Sequence, residues 1–213
     1  SFWICKFLLG MLRASIYISF LFISLGIGST KSNNGMVEFL REYLSIKYAD
    51  KSFDQLIYVA AKKQMLYVIN GNSIEGEYSI STAKNGLGNS EGSYQTPTGL
   101  HIIAEKVGDN VDLYGIIKQK VPTGELASPI LEKKATNQDI ITTRILHLSG
   151  MEEGLNKGDG VDSYSRGIFI HGTHEEGLIG TPASKGCIRM KNTEVIDLFE
   201  QVEVGTFVII LNN

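Results

Sequence analysis

The sequence predicts a mainly β domain with one or two short helices, preceded by an apolar N-terminal segment. Short apolar runs recur from residue 56 onward, and Gly, Asn and Pro residues separate them, which is typical of strands joined by turns. The pair Asn70-Gly71 lies between two of these runs and predicts a hairpin, because both residue types tolerate positive φ. The predicted strands cover residues 56–60, 65–69, 73–80, 100–104, 145–148, 168–170 and 207–211.

The composition fits one folded domain and argues against a polyanionic partner. The 213 residues are 43% hydrophobic and 20% charged, enough to bury one core of ordinary size with a remainder at the N-terminus. The formal net charge of −3 provides no basic stripe, so nucleic acid is not expected as a partner. The sequence contains no phosphate-binding loop, and we predict no cofactor.

Residues 1–30 are expected to form a signal peptide or a signal anchor. Lys6 and Arg13 are the only charged residues up to position 28, and an apolar run of about fifteen residues follows Arg13 directly. Small residues such as Gly26 and Gly28 suit a cleavage region, but no Ala-x-Ala pattern is present, so cleavage and membrane retention both stay open. The basic flank predicts a cytoplasmic N-terminus and export of the remaining chain.

Residues 31–52 predict a linker followed by an amphipathic helix. Residues 31–35 are mostly polar, and apolar side chains then recur at helical spacing with Glu38, Arg41 and Glu42 between them. Two roles stay open for the helix: packing on the following domain, or binding a partner or a membrane surface. The apolar positions are Met36, Val37, Phe39, Leu40, Tyr43 and Leu44.

A second helix is predicted near the C-terminus. Asn192 is its candidate N-cap, Glu194 lies in its first turn, and Gly205 is expected to stop it. We expect this helix to brace the loop that precedes it against the sheet. Its apolar face consists of Val195, Leu198, Phe199 and Val202.

Residues 105–143 predict an irregular insertion, because lysines and prolines alternate with short apolar pieces without clear periodicity. A lid beside an active site and a solvated surface excursion are both compatible with this composition. Residues 150–165 are rich in Gly, Asp and Asn and predict another loop. Asp159 and Asp162 in that loop do not have the spacing of a calcium site.

A histidine and a cysteine carry the clearest chemical indication. The block His171-Gly172-Thr173 precedes the block Ser184-Lys185-Gly186-Cys187-Ile188-Arg189-Met190. A thiol with an ordinary pKa of about 8.5 needs a neighbour that stabilises its thiolate, and histidine is the commonest such neighbour. A single cysteine is more often a buried structural residue, but the preceding glycine and the histidine favour a nucleophile. Since Cys5 lies in the N-terminal segment, Cys187 would be the sole thiol of an exported domain.

Residues 168–170 predict a strand that delivers His171 at its end, where Gly172 leaves the backbone open beside the imidazole. This placement suits a catalytic base. A metal pair with His174 is not expected, because a strand and a glycine argue against the helix that would put both rings on one face. The other two histidines fit no known ligand spacing, so we predict no metal site.

These motifs resemble the L,D-transpeptidase family of bacterial cell walls, the YkuD-type catalytic domain. The resemblance rests on the two blocks above and on Thr96-Pro97-Thr98-Gly99-Leu100-His101, which follows the strand end Ile80-Ser81-Thr82. It implies a YkuD-like β-sandwich or barrel-like catalytic domain over residues 53–213. Many family members have a second histidine where this chain has Lys185, so His171 is the only imidazole of the motif; the lysine does not argue against activity.

The resemblance implies a peptidoglycan L,D-transpeptidase. Cys187 would attack the diaminopimelate carbonyl of a tetrapeptide stem, release D-Ala and pass the acyl group to an amine. His171 would act as general base, oriented by the backbone carbonyl of Gly172. Peptidoglycan stem peptides are then the expected partners, and the bacterial periplasm or cell envelope is the expected location, with membrane attachment if the N-terminal segment is not cleaved.

The same resemblance implies further roles in the cysteine block. The backbone of Gly186 would donate to the oxyanion. Arg189, Ser184, Lys185 and Thr173 are candidate substrate-binding residues, and a guanidinium suits the carboxylates of the stem. A structural salt bridge stays open for Arg189, as does a hydrogen bond within the loop for Ser184.

Two other functions stay open at this point. One is a hydrolase of the same fold, such as an L,D-carboxypeptidase, because the same thioester can pass to water. The other is a catalytically silent wall-binding protein, which the presence of Cys187, His171 and Gly186 disfavours.

Overall fold

The computed structural model describes residues 30–136 and 138–213, with side chains from residue 35. The chain divides into two units, Ser1–Lys47 and Tyr48–Asn213. The predicted signal peptide or anchor lies almost wholly outside the described residues. Within them, no helix combines the length and the apolar character that crossing a membrane requires.

The described part of the first unit is helix α1, Thr30–Lys47. The amphipathic helix predicted from the apolar spacing is present, but it begins earlier than expected. Residues 31–35, predicted as linker, belong to it, because weak local helix propensity is readily overridden when a helix continues through a segment.

The second unit is mainly β, as predicted, and its ten strands join in one hydrogen-bonded sheet. The strand order is β3-β2-β1-β10-β4-β7-β5-β6, while β8 pairs with both β7 and β9. Because β7 pairs with β4, β5 and β8, the sheet branches there and cannot remain a single flat layer. The strands are β1 Gln55–Ala60, β2 Met65–Asn70, β3 Ser73–Ser79, β4 Gly99–Val107, β5 Gly115–Lys118, β6 Val121–Leu126, β7 Ile141–Gly150, β8 Phe169–Thr173, β9 Ile188–Met190 and β10 Phe207–Leu211.

The predicted hairpin joins β2 and β3. Asn70 pairs with Ser73 in the ladder, so Gly71 and Asn72 form the turn. Gly71 has φ of +55°, the left-handed conformation that glycine adopts at little cost.

The irregular insertion predicted for residues 105–143 is wrong in part. Strand β4 continues to Val107, β5 and β6 form an antiparallel hairpin, and β7 begins at Ile141. All six residues of β6 are exposed, so its sequence has no apolar alternation to reveal a strand. Pro122 is tolerated there because β6 ends the strand order.

Helix α2, Asn192–Gln201, packs on β7 and β8. Its buried Val195, Leu198 and Phe199 belong to the same apolar core as residues of the sheet. The prediction of Asn192 as N-cap is wrong: Lys191 occupies that position, with extended backbone and no capping side chain.

Asn192 instead serves a buried hydrogen-bond network. Its Nδ2 donates to the Thr173 carbonyl and to Glu176 Oε1, both at 2.7 Å. Its Oδ1 accepts from the hydroxyls of Thr142 and Thr143 at 2.6 and 2.5 Å. This amide therefore ties the start of α2 to β7 and β8.

Candidate active site

Strands β8 and β9 run parallel and bring the two chemical motifs together. His171 pairs with Arg189 in this ladder, and Ile170 pairs with Ile188. Cys187 immediately precedes β9, so it lies beside the start of β8. The fully buried Ile170 and Ile188 anchor both segments in the core.

The imidazole of His171 is 1% exposed and has a fixed orientation. Its Nδ1 lies 2.7 Å from the Gly172 carbonyl oxygen. A carbonyl can only accept, so Nδ1 carries the hydrogen and Nε2 keeps a free lone pair. Burial lowers the pKa of His171 below its ordinary 6.5, although Asp139 acts in the opposite direction. The site thus holds a neutral imidazole.

The thiol of Cys187 is also held in its neutral form. Its Sγ accepts the Phe169 N–H and donates to the Gly167 carbonyl, each at 3.4 Å. Although the residue is partly exposed, desolvation raises the pKa of the thiol to about 12, while the Phe169 N–H acts against this shift. The thiol is hydrogen-bonded to Gly167 and not to His171, so its proton must leave that carbonyl before the imidazole can take it.

The loop before the thiol is held by two hydroxyls. Ser184 Oγ donates to the Cys187 carbonyl at 2.5 Å and accepts the Gly186 N–H at 3.3 Å. Thr96 Oγ1 donates to the Gly186 carbonyl at 2.9 Å and accepts the Ala83 N–H at 2.9 Å. Thr96 was predicted only as part of a turn motif; its contact across 90 positions of sequence had no local indication.

Gly186 requires the conformational freedom of glycine. Its φ is +131°, and an added Cβ would lie 3.4 Å from Ile168 Cδ1. The backbone N–H predicted as an oxyanion donor is engaged with Ser184 Oγ in this structure. The Cys187 N–H donates to no group within the described part of the chain, so it is the better placed of the two donors.

Arg189 is buried in ion pairs. Its side chain is 3% exposed, with Nη1 2.7 Å from Glu175 Oε2 and Nη2 2.5 Å from Asp139 Oδ1. Because both terminal nitrogens are bound by carboxylates, the structure favours the salt-bridge alternative over binding of a substrate carboxylate. The segment before β7, which carries Asp139, is thereby attached to β9.

The remaining candidates separate into buried and exposed residues. Thr173 is fully buried, and its Oγ1 accepts the Glu175 N–H at 3.1 Å; its role in substrate binding stays a prediction. Ser184 is 2% exposed, and its hydroxyl hydrogen-bonds within the loop. This bond is the structural alternative that the sequence left open for Ser184. Lys185 is exposed and lies within the loop of residues 184–187 that precedes β9.

Arg166 was missed by the sequence analysis. Its Nη1 donates to the Asn89 and Gly88 carbonyls at 2.8 and 3.4 Å, and its Nη2 donates to the Gln95 carbonyl at 2.7 Å. Burial raises the pKa of Cys187, and the charge of Arg166 acts against this rise. A loop arginine has no periodicity that would have revealed it.

Within residues 30–136 and 138–213, no group of three or more His, Cys, Asp or Glu side chains could hold a metal ion. A surface cavity of about 570 Å³ lies beside the loop of residues 184–187 and is bordered by Lys62, Thr82, Ala83 and Pro182. Ala83 forms a parallel bridge with Ser184, which connects the cavity wall to that loop.

The fold and the site define a mainly β domain with a neutral imidazole on β8 and a thiol at the start of the paired strand β9. The model of the YkuD family, the L,D-transpeptidase catalytic domain, matches residues 54–210. This chain belongs to that family.

The chain is also similar to individual known proteins. The protein named "Putative L,D-transpeptidase YqjB" from Bacillus subtilis (strain 168) is 28% identical over 160 residues, which cover 75% of this chain and 73% of that protein. An L,D-transpeptidase from Mycobacterium smegmatis has a TM-score of 0.46 and 15% identity, covering 74% of this chain and 58% of its own. L,D-transpeptidase 3 from Mycobacterium tuberculosis, in complex with a faropenem-derived adduct, has a TM-score of 0.47 and 14% identity over 75% of this chain and 60% of its own.

Proposed function

We propose that this protein is a cysteine-dependent L,D-transpeptidase that acts on peptidoglycan stem peptides. The carrying observation is the buried imidazole of His171, whose Nδ1 is fixed by Gly172 on the strand next to Cys187. A neutral imidazole with a free Nε2 is the form that a general base needs. Membership of the family supports the substrate class.

In acylation, the Cys187 proton passes to His171 Nε2 as the sulfur attacks the carbonyl carbon of diaminopimelate in the tetrapeptide stem, and a C–S bond forms. As the tetrahedral intermediate collapses, the C–N bond to D-Ala breaks and the imidazolium returns its proton to the leaving amine. The product is a thioester on Cys187 and free D-Ala.

The raised pKa of the thiol supports a concerted first step. At neutral pH the thiol is protonated, so deprotonation must accompany attack on the carbonyl. A bound carbonyl group would displace water and place its oxygen against the Cys187 N–H. Loss of one such oxyanion donor costs about 3 kcal/mol in comparable sites.

Deacylation transfers the acyl group to the side-chain amine of a second stem. His171 removes a proton from the attacking amine and returns one to the thiolate as the C–S bond breaks. The exposed Lys185 is positioned to contact the stems outside the buried loop. Transfer to water would produce a trimmed tripeptide, which is the carboxypeptidase alternative.

The cell envelope is the location proposed for this reaction, because peptidoglycan lies there. The apolar and weakly charged residues 1–30 support export. Membrane attachment through this segment is part of the proposal only if the segment is not cleaved.

The test is mass spectrometry of purified protein incubated with disaccharide-tetrapeptide. Wild type is expected to release D-Ala and form a crosslinked dimer, and Cys187→Ala to form neither. The alanine variant should keep the circular dichroism spectrum of wild type, because its truncation removes a single sulfur atom.

Three other outcomes would each correct the proposal. Trimmed tripeptide without dimer would establish hydrolysis. Activity in a folded Cys187→Ala would remove the proposed nucleophile. Folded wild type without product or Cys187 adduct would favour the silent wall-binding alternative.

A further inference from the structure

Two guanidinium groups act on the thiol, but only one has a charge available to a ligand. Burial raises the pKa of Cys187, and the charges of Arg189 and Arg166 both act against this rise. The terminal nitrogens of Arg189 are bound by Glu175 and Asp139, and its side chain is 3% exposed. The positive charge of Arg189 is therefore already balanced inside the protein.

Arg166 is oriented without being neutralised. The acceptors of Arg166 are the main-chain carbonyls of Gly88, Asn89 and Gln95, which carry no formal charge. In the described residues, no carboxylate oxygen lies within 4.0 Å of its guanidinium. Glu91 acts on it from a greater distance and raises its pKa; the larger effect of burial lowers it, but a guanidinium stays charged at physiological pH.

The hydrogen-bond inventory of Arg166 leaves two donors open. A guanidinium has five N–H groups, and two from Nη1 and one from Nη2 are used. The Nε–H and one Nη2–H have no partner in the part of the chain that the structure describes. These neighbouring nitrogens can bind both oxygens of one carboxylate.

The position of Arg166 ties this charge to the nucleophile by two routes. The next residue, Gly167, accepts the S–H of Cys187 at 3.4 Å. The Gln95 carbonyl that receives Arg166 Nη2 lies 3.6 Å from the Cβ position of Gly186. Arg166 therefore borders the nucleophile loop, residues 184–187, both along the chain and across space.

We propose that Arg166 forms a carboxylate-binding subsite beside Cys187, which holds a carboxylate of the acyl-donor peptide through Nε and Nη2. The identity of the ligand rests on the proposed function, because the donor stem carries free carboxylates on D-Ala and diaminopimelate. The subsite itself rests on the neutral anchoring of Arg166 and can be tested without turnover.

The first experiment compares alkylation of Cys187 by iodoacetate and by iodoacetamide. The two reagents differ by one carboxylate, and the ratio of their rates cancels any change in thiolate fraction. In Arg166→Gln the ratio of iodoacetate to iodoacetamide rates should fall about tenfold from wild type. Arg166→Lys should show an intermediate ratio, because it keeps the charge without the planar pair of donors.

Lys84→Gln is the matched control for net charge. Lys84 is exposed, and its backbone N–H bonds to the Ser184 carbonyl at 3.0 Å, so it borders the same loop. In Lys84→Gln the ratio of iodoacetate to iodoacetamide rates should change by less than about twofold, because an exposed charge is screened by solvent and salt. An unchanged ratio in Arg166→Gln, or an equal fall in Lys84→Gln, would overturn the subsite.

A measurement on wild type covers the case in which Arg166→Gln does not fold. D-Alanine should slow alkylation of Cys187 by iodoacetamide, whereas D-alaninamide, which lacks the carboxylate, should not. Equal effects of the two compounds would contradict the proposal.

The donor peptides then identify which carboxylate binds. Tetrapeptides amidated at either D-Ala or diaminopimelate should differ in turnover by wild type, and Arg166→Gln should abolish that difference. If wild type discriminates against neither amide, the subsite does not serve the donor. If no donor is turned over, the proposed function fails, while the alkylation ratio still decides whether the subsite exists.

Discussion

The Nδ1 atom of His171 lies 2.7 Å from the carbonyl oxygen of Gly172, the next residue in the chain. This bond fixes the tautomer with a backbone group, so no acidic side chain is needed to orient the ring. The imidazole remains uncharged because it is 1% exposed, and burial disfavours its protonated form.

The first prediction concerns the acid limb of the pH–rate profile. Burial lowers the pKa of His171 below 6.5, so the base stays neutral as pH falls through the ordinary titration range. The acid limb of kcat/KM for D-Ala release should therefore lie below pH 6.5, measured between pH 4 and 8. A limb at or above 6.5 would mean that the ring is hydrated and charged more easily than its burial implies.

The same shift affects stability in a defined direction. Below pH 6.5 His171 binds a proton in the unfolded chain but stays neutral in the folded chain, so folding stability falls as pH decreases. His171→Asn removes this contribution, and its stability relative to wild type should improve between pH 6.5 and 5. Urea titrations at each pH measure the difference.

The second prediction concerns Gly186→Ala. The φ of +131° is strained for any L side chain, and the new Cβ would lie 3.4 Å from Ile168 Cδ1. We expect a loss of about 1–3 kcal/mol in the free energy of unfolding, together with a large fall in kcat. Gly180→Ala is the control: its φ of +90° is also left-handed, but nothing lies within 4 Å of its Cβ position. The control should lose stability and keep activity; loss of kcat in both variants would remove the special role of Gly186.

The third prediction concerns Thr96→Val. Valine preserves the shape but leaves the Ala83 N–H and the Gly186 carbonyl without their hydroxyl partner. Stability should fall by about 1–3 kcal/mol, and kcat by about tenfold, because the nucleophile loop loses its anchor. Thr98→Val removes a hydroxyl from the same motif; within the described residues, that hydroxyl hydrogen-bonds only to Asn89 Oδ1, at 3.5 Å. Chemical denaturation and initial rates should be nearly unchanged in that control.

The fourth prediction concerns Arg189→Met. Removing the guanidinium leaves Glu175, which is 2% exposed, as an unpaired buried carboxylate. The free energy of unfolding should fall by about 3–5 kcal/mol. The double variant Arg189→Met/Glu175→Gln should regain part of this loss, because the buried charge is removed. No recovery in urea denaturation would show that the Asp139 pair, and not the Glu175 pair, dominates.

Strand positions were predicted well where successive side chains of the strand are buried. The runs at 56–60, 65–69 and 207–211 all lie in strands, because burial of alternate or successive apolar side chains leaves a local pattern. The β5–β6 hairpin was missed because its second strand is exposed throughout. The prediction that Asn192 caps α2 was wrong because it rested on local cap preference alone. In the fold, the Asn192 side chain hydrogen-bonds to three buried residues of β7 and β8.

The amino-acid sequence by itself determined the mainly β class, the family motifs, and the order in which a histidine and a cysteine occur. Those properties are local, since each depends on a few neighbouring residues. The tertiary structure decided which charges are available at the site. Arg189 is neutralised by Glu175 and Asp139, and Arg166 is held by carbonyls 71 to 78 positions away. Such pairings depend on which distant segments the fold brings together, and the spacing of neighbouring residues contains no information about them.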